Sequence, residues 1–456
     1  MQRQASKEPS SNAVDRAEGR VQVTYRPVSE LKLDANNPRA HSPRQVRQIA
    51  RSMETFGFIV PALIDPQLRV IAGHGRILAC RLLGWTQVPT ICLDYLSEAQ
   101  AKVFAIADNR LSENSEWNDR LLGEQLKKLS ELELDFSLEV SGFHMAEIDL
   151  RIEGLTAEPG DADPDALPEA MSRPLVSRPG DLFLLERHRV SCANALEEGS
   201  YAALMQAEKA AMGFIDTPYN VPVEGNVSGL GAIRHHDFAM ACGEMNEAQF
   251  TAFLAQAFLL LARYSLDGAL NFICMDWRHM SEVPAAGGQV YTELKNLCVW
   301  IKNHTGMGAF YRSRHELIFV FKHGRAPQRN NVHLGKYGRD RTNVWNYPGP
   351  RTPSEEGNLL ALHPTVKPVR LVADAILDCT ARGKIVLDSF LGSGTTVIAA
   401  ERTGRRCYGL EIDPRYVVTI VRRWQAYTGE HARHASSGRT FNELEAERAE
   451  DTHDGR

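Results

Sequence analysis

The sequence predicts a doubly wound α/β domain that is preceded by a smaller α+β unit. Three observations lead to this prediction. A strand of the buried kind over residues 384–388 runs into a glycine turn and a helix, a similar strand over 211–215 ends in a polar turn, and a third over 407–410 ends at an acid. Buried strands that alternate with helices are typical of parallel sheets with helices on both faces.

The composition is that of an ordinary globular protein. The chain has 456 residues, a length that allows two or three domains. Its formal net charge of −5 argues against a surface that is basic all over and binds nucleic acid. Eight scattered cysteines without Cys-x-x-Cys spacing predict reduced core residues in a cytoplasmic protein and no metal site. No stretch approaches the roughly 20 apolar residues of a membrane span.

Changes in composition along the chain predict six segments. They are a disordered N-terminus at 1–20, an α+β unit at 21–115, a helical extension at 116–152 that packs back on this unit, a linker at 153–179, the large domain at 180–430 and a charged tail at 431–456. Five prolines and five acids between Thr156 and Pro179 favour an extended linker.

The turn after residues 384–388 is predicted to bind a nucleotide-like cofactor. Its glycines let the backbone turn sharply and approach a ligand. Glu411 follows Gly392 by 19 residues, close to the spacing at which an acid binds ribose hydroxyls. The turn lacks the Gly-Lys-Ser/Thr ending of a P-loop, which disfavours nucleoside triphosphate hydrolysis. The candidate cofactor residues of this region are Asp388, Phe390, Gly392, Ser393, Gly394, Thr395, Thr396 and Glu411.

The turn after residues 211–215 reads Asp216-Thr217-Pro218-Tyr219 and suits a flat polar base. The Asp216 carboxylate and the Thr217 carbonyl would each accept an N–H of an exocyclic amine, which frees the nitrogen lone pair for attack, and Tyr219 would stack on the base.

The two motifs in this order resemble the β group of amino-methylating DNA methyltransferases, over about residues 176–430. The resemblance implies a Rossmann-like domain, S-adenosylmethionine as cofactor, and a flipped-out base of double-stranded DNA as substrate. It makes Asp216, Thr217, Pro218 and Tyr219 the catalytic candidates. Methylation at carbon 5 of cytosine needs a cysteine nucleophile that usually follows a proline, and none of the eight cysteines does, so adenine N6 and cytosine N4 remain. The family usually has proline where Thr217 stands, and its Asp form favours adenine N6 over cytosine N4. A regulatory DNA-binding protein with an inactive methyltransferase half is the alternative.

Two further segments of the chain fit the same resemblance. The run 363–368 matches a family segment and implies that His363, Thr365 and Lys367 line the methionine end of the cofactor. Residues 323–362 are predicted to recognise the target, because 322–342 holds six Lys/Arg against one acid. The candidate DNA contacts are Arg325, Arg329, Lys336, Arg339 and Arg341.

The unit at 21–115 resembles a ParB/sulfiredoxin-type domain. The residues that carry this are Asn37-Pro38-Arg39, Phe56-Gly57 and the turn Gly73-His74-Gly75-Arg76 at a helix start. The resemblance implies a nucleotide whose phosphate meets Gly73 and Arg76. The alternative is a unit without a bound nucleotide that either docks DNA or joins two copies of the chain into a homodimer. A sulfiredoxin-like activity is excluded, because the turn has no cysteine.

Overall fold

The computed structural model describes residues 21–35, 37–115, 117–155, 164–166, 176–220, 243–303, 305, 310–349 and 366–453. The chain forms two compact units, Met1–His144 and Met145–Arg456. No helix among the described residues is both long and apolar enough to cross a membrane.

The first unit is built on a four-stranded sheet with the order β1-β4-β2-β3. Its strands are β1 (Val23–Pro27), β2 (Ala62–Ile64), β3 (Val70–Ala72) and β4 (Gln87–Cys92), and its helices are α1 (Pro43–Phe56), α2 (His74–Leu83), α3 (Glu98–Glu113) and α4 (Asp119–Glu131). Helix α1 begins where the sequence predicts, because the Ser42 hydroxyl accepts the N–H of Gln45 and Pro43 occupies the first turn.

The second unit is built on a mixed ten-stranded sheet with the order β11-β9-β10-β8-β7-β12-β13-β6-β5-β14. The strands are β5 (Leu182–Leu185), β6 (His188–Cys192), β7 (Ala210–Asp216), β8 (Ser265–Met275), β9 (Glu293–Ile301), β10 (His315–Lys322), β11 (Val344–Asn346), β12 (Ile385–Asp388), β13 (Arg406–Glu411) and β14 (Arg433–His434). The predicted opening hairpin is the antiparallel pair β5–β6.

Helices cover both faces of this sheet, as the α/β prediction requires. They are α5 (Met145–Glu153), α6 (Glu198–Met205), α7 (Glu247–Arg263), α8 (Glu282–Val290), α9 (Val369–Cys379), α10 (Thr395–Thr403), α11 (Pro414–Thr428) and α12 (Phe441–His453). Side chains of α9, α10 and α11 form one apolar layer with the sheet, and those of α6, α7 and α8 form the other. This is the doubly wound arrangement.

The central strands of the sheet are parallel, so their carboxyl ends meet at one edge. Strand β12 lies between β13 and β7 and is parallel to both, and β8 is parallel to β7. From β12 the chain continues to β13 on one side, whereas from β7 it continues to β8 on the other. We call the edge where these four strands end the carboxyl edge. The crevice between β7 and β12 is where ligands bind in such sheets.

Helix α5 corrects the predicted helical extension at 116–152. The whole extension is predicted to pack on the first unit, but α5 belongs to the second. Its Asp149 is fully buried, accepts hydrogen bonds of 2.9 and 2.8 Å from Arg405, and lies 2.9 Å from the Arg382 guanidinium. The buried guanidinium groups of Arg405 and Arg382 are stabilised by the Asp149 carboxylate, and this pairing is the physical reason that α5 packs on the second unit.

Candidate active site

The base motif follows β7 at the carboxyl edge. Asp216 is the last residue of the strand, and the buried Thr217 donates its hydroxyl to the Cys274 carbonyl of β8 over 3.4 Å. A proline at this position has no such donor. The departure from the family pattern therefore replaces the rigidity of a proline ring with a hydrogen bond to the neighbouring strand.

Asn220 fixes the turn from its far side, and the sequence analysis missed it. Its φ of 51° is left-handed, which asparagine tolerates better than most residues. The side-chain amide donates to the Met245 carbonyl over 2.7 Å and accepts the N–H groups of Gly243 and Met245. Its position directly after the motif was the signal in the sequence.

Asp216 belongs to a network of five charged or polar side chains. The Lys367 ammonium lies 2.6 Å from Asp216 Oδ2 and 2.9 Å from Glu316 Oε2. Tyr219 donates its hydroxyl to Asp216 Oδ1 over 2.6 Å, and Lys302 lies 2.5 Å from Glu316 Oε1. Lys367 was expected at the cofactor. Only its carbonyl faces the cofactor turn, where it accepts the Thr395 hydroxyl at 3.2 Å.

The two carboxylates of this network differ in their electrostatics. Burial raises the pKa of Asp216, the Glu316 charge raises it further, and Lys367 offsets only part of this. Burial also acts to raise the pKa of Glu316, but Lys367 and Lys302 outweigh it and lower the pKa to about 2. Burial acts to lower the pKa of Lys367, yet the two carboxylates raise it. Glu316 is therefore a fixed anion, and Asp216 is the better proton acceptor.

The predicted cofactor turn connects β12 to α10, and two buried carboxylates hold it. Asp388 ends β12 and accepts the N–H of Phe390 at 3.0 Å and the hydroxyl of Thr396 at 2.6 Å. Glu411 ends β13 and accepts the N–H groups of Gly392 at 2.8 Å and Asp413 at 2.9 Å. The sequence predicted that the turn and the acid would meet, and these hydrogen bonds are how they do so.

The chemistry of these groups fits a nucleoside with a ribose. Each Glu411 oxygen accepts one backbone N–H, which leaves further lone pairs for hydroxyl donors. Burial raises the pKa of Asp388 and of Glu411 to about 7 each. Gly392 and Gly394 have φ values of 51° and 82°, a conformation that glycine adopts without strain.

Arg423 joins the cofactor turn to a short piece of the predicted linker. The guanidinium is buried and donates to the Ser393 carbonyl over 3.0 Å and to the Pro164 carbonyl over 2.9 Å. The next residue, Asp165, accepts the N–H of Val369 at the start of α9 over 2.8 Å. Nothing local in the sequence indicated these contacts.

Three family models match this chain. One described as a DNA methylase of the N6/N4 class matches residues 210–422, one described as a ParB N-terminal domain matches 12–110, and one described as a ParB-methyltransferase HTH domain matches 120–179. Residues 210–422 form a domain of the N6/N4 DNA methylase family. The predicted methyltransferase and ParB-like resemblances are confirmed, and S-adenosylmethionine is the cofactor. The HTH match covers residues that the sequence analysis divided between a helical extension and a linker.

Individual proteins are similar to shorter stretches of this chain. The ParB-like nuclease domain-containing protein YnaK of Escherichia coli K12 is 42% identical over 81 residues, 18% of this chain and 93% of YnaK. The DNA adenine methyltransferase YhdJ of the same organism is 41% identical over 81 residues, so the chain spans 26% of YhdJ. The crystal structure of an M1.HpyAVI–SAM complex is 18% identical at a TM-score of 0.37, over 52% of this chain and 98% of that one.

Two predicted DNA contacts of the methylase lie far from the base motif. Strand β10 is antiparallel to β8, so it ends at the edge opposite the carboxyl edge. Arg325 follows β10 there, beside Asp267 at the start of β8. Arg329 lies near Cys379 at the end of α9, where the chain enters β12. Neither residue lies beside the base motif, and DNA contact stays a prediction for both.

Arg339 and Arg341 form ion pairs within the protein. Both guanidinium groups pair with Asp374 and Asp378 of α9, at distances from 2.7 to 3.3 Å. Arg339 is buried, and DNA contact stays a prediction for both residues. Lys336 is exposed and lies over the Tyr337 ring, so a role in DNA contact stays a prediction for this residue. His363 and Thr365 lie outside the described residues.

The candidate phosphate turn of the ParB-like unit begins α2. Gly73 has a φ of 100°, and a side chain there would come within 3.1 Å of the Arg76 guanidinium. Arg76 is half-buried and its guanidinium points to the Pro61 carbonyl, 3.5 Å away. Burial lowers its pKa and Asp108 partly offsets this. Phosphate binding by Gly73 and Arg76 stays a prediction.

Proposed function

We propose that this methylase transfers a methyl group from S-adenosylmethionine to the exocyclic amine of a base flipped out of double-stranded DNA, and that the base is adenine. The observation that carries the proposal is the Asp216–Tyr219 pair at the end of β7, beside the turn between β12 and α10. The Asp form of the base motif favours adenine N6 over cytosine N4.

The base motif supplies the groups that activate an amine. The lone pair of an exocyclic amine is delocalised into the ring, which makes the nitrogen a poor nucleophile. Asp216 would accept one N–H and the Thr217 carbonyl the other, which frees the lone pair, while Tyr219 stacks on the base. The raised pKa of Asp216 suits it to take the proton that the nitrogen sheds after transfer.

Lys367 and Glu316 would act on Asp216 and Tyr219 rather than on the base. Glu316 stays ionised and holds Lys367, and Lys367 holds Asp216 in one orientation. This positioning matters because the reaction is a direct displacement governed by alignment and electrostatics.

The cofactor would lie in the crevice between β7 and β12. When bound, it supplies a methyl group on a positively charged sulfur. Glu411 would accept the ribose hydroxyls, and Asp388 would hold the turn in place. Phe390, Gly392, Ser393, Gly394, Thr395 and Thr396 complete the proposed lining, with His363 and Thr365 carried over from the resemblance. Lys367 would contribute through its carbonyl, which accepts the Thr395 hydroxyl.

Substitution of Asp216 tests the proposal. Duplex DNA without methylation is incubated with labelled cofactor and digested to nucleosides, which are identified by mass spectrometry. We expect N6-methyladenine from the native protein and a loss of at least about a hundredfold in Asp216→Ala, with cofactor and DNA binding retained. Asp276→Ala, which removes a carboxylate just after the neighbouring strand β8, is the control and stays active.

The possible outcomes separate three interpretations. N4-methylcytosine lost in Asp216→Ala would keep the mechanism and change the base. No methylated nucleoside on diverse DNA, with the cofactor still bound, would contradict the catalytic proposal and favour the DNA-binding regulatory alternative.

A further inference from the structure

Residues 310–314, which lead into β10, lie at the carboxyl edge, where the base motif ends β7. Glu316, the second residue of β10, lies within 3.1 Å of the Tyr219 hydroxyl. His315 pairs with Ile301, and the Lys302 N–H donates to the Arg314 carbonyl over 2.9 Å, so the hairpin continues outward past the strands. At about 3.4 Å per residue, position 311 lies within ~17 Å of the Glu316 backbone.

Two aromatic rings are exposed on this connection. Phe310 and Tyr311 are 87% and 83% exposed, and their ring centroids lie 4.4 Å apart with the planes at 60°. Large rings with this exposure are uncommon on a surface that contacts only water, and they mark interaction sites. Tyr311 and its neighbours Arg312 and Arg314 are all exposed, so two cations accompany the two rings.

The combination of flat apolar rings and guanidinium groups fits nucleic acid. Rings stack on bases or enter between base steps, and arginine contacts the phosphates beside them. The rings could also pack against a protein partner, but the arginines and the adjacent base motif favour DNA. Of the basic residues predicted to contact DNA, Arg325 follows β10 at the opposite edge, and Arg339 and Arg341 pair with carboxylates of α9.

We propose that Phe310 and Tyr311 are a wedge that enters the duplex beside the target base and stabilises its flipped-out state, with Arg312 and Arg314 on the flanking phosphates. This proposal rests on the proposed function. Flipping a base breaks its stacking and pairing, which costs a few kcal/mol. Rings that occupy the opened stack restore part of that stacking.

The double variant Phe310→Ala/Tyr311→Ala tests the wedge in the full chain. Single-turnover methyl transfer is measured on a duplex that the native protein methylates and on the same duplex with a mismatched base opposite the target. We expect a loss of about 10- to 100-fold on the paired duplex, since ring stacking on a base is worth roughly 1–3 kcal/mol. The mismatch lowers the cost of flipping, so the loss on that duplex is expected to be several-fold smaller.

Two matched variants serve as controls. Phe310→Tyr/Tyr311→Phe keeps both rings and is expected to restore most of the rate that the double alanine variant loses. Leu266→Ala removes an exposed apolar side chain near the start of β8, at the opposite edge, and is expected to leave the rate unchanged. Cofactor affinity and the unfolding temperature are expected to match the native protein in all three variants, because these side chains are exposed.

The outcomes that overturn the wedge are distinct from failure of the proposed function. A native rate for the double alanine variant on paired DNA would overturn it. An equal loss on paired and mismatched duplexes would show that the rings do not act on flipping, and would overturn it as well. If the native protein methylates no DNA, the proposed function fails before the wedge is tested.

Discussion

At the scale of single residues, the protonation state of the Glu411 carboxyl is expected to control how tightly the turn binds the cofactor. Because burial raises its pKa from the ordinary value of 4.5 to about 7, the carboxyl is mostly protonated at pH 6 and mostly ionised at pH 8. An ionised carboxylate accepts hydroxyl donors more strongly. We therefore expect cofactor affinity, measured by titration calorimetry, to rise about three- to tenfold between pH 6 and pH 8.

The matched variant for this prediction is Glu411→Gln, which keeps the shape and cannot titrate. Its cofactor affinity should be lower and nearly independent of pH over the same range. Asp388 has a pKa of about 7 too, but its oxygens accept from Phe390 and Thr396 within the turn. A pH dependence that survives in Glu411→Gln would show that Glu411 does not control the cofactor.

The free energy of unfolding is expected to change with pH in the direction opposite to that of cofactor affinity. The folded pKa of Glu411 lies above 4.5, so the protein without cofactor loses stability as pH rises from 4.5 through 7. This penalty disappears below pH 4.5, where the carboxyl is protonated in both states.

The sequence predicted some of these residues and not others, for a physical reason. Asp216, Tyr219 and Glu411 belong to short motifs at strand ends, where the local pattern alone indicates a ligand edge. Glu316 and Lys302 join the site through strand pairing across the sheet, and Arg339 meets α9 more than 30 residues further along the chain. Single-sequence patterns do not specify such distant partners.

At the scale of elements, α9 begins with a cap from elsewhere in the chain. Asp165 accepts the N–H of Val369, the first residue of the helix, and Pro368 follows directly on Lys367. We expect Asp165→Ala to lower methyl transfer several-fold, because loss of a helix cap costs about 1 kcal/mol and loosens the chain that orients Lys367.

Asp165→Asn keeps an acceptor oxygen at the same place and is expected to restore most of the rate. Methyl transfer at saturating cofactor, compared with cofactor affinity, distinguishes an effect on Lys367 from one on the turn. An alanine variant with the native rate would show that the contact has no role in catalysis.

Among the elements, the strands at the site were the easiest to predict. The apolar runs at 211–215, 384–388 and 407–410 became β7, β12 and β13, because buried parallel strands need uninterrupted apolar side chains. The segment 322–342 was harder. Its charges indicate a solvated surface, whereas Arg339 and Arg341 pair with carboxylates that the sequence does not place beside them.

At the scale of the whole molecule, the second unit depends on the buried group of Asp149, Arg405 and Arg382. We expect Asp149→Ala to lower the free energy of unfolding by about 3–5 kcal/mol, because it leaves two arginines without their carboxylate. Urea unfolding of the full chain measures this. Glu147→Ala, on the same helix but partly exposed, should change it by less than about 1 kcal/mol. Similar values for the two variants would contradict the prediction.

The placement of α5 has a practical meaning for anyone who wishes to divide this protein. Composition suggests a cut in the acidic segment before residue 180, which would discard α5 and the Pro164–Asp165 contact together. A shortened methylase made that way would retain Arg405 and Arg382 but lose Asp149, and it would expose an apolar surface that invites aggregation. A catalytic fragment intended for expression or for fusion to another DNA-binding module should therefore start before Met145.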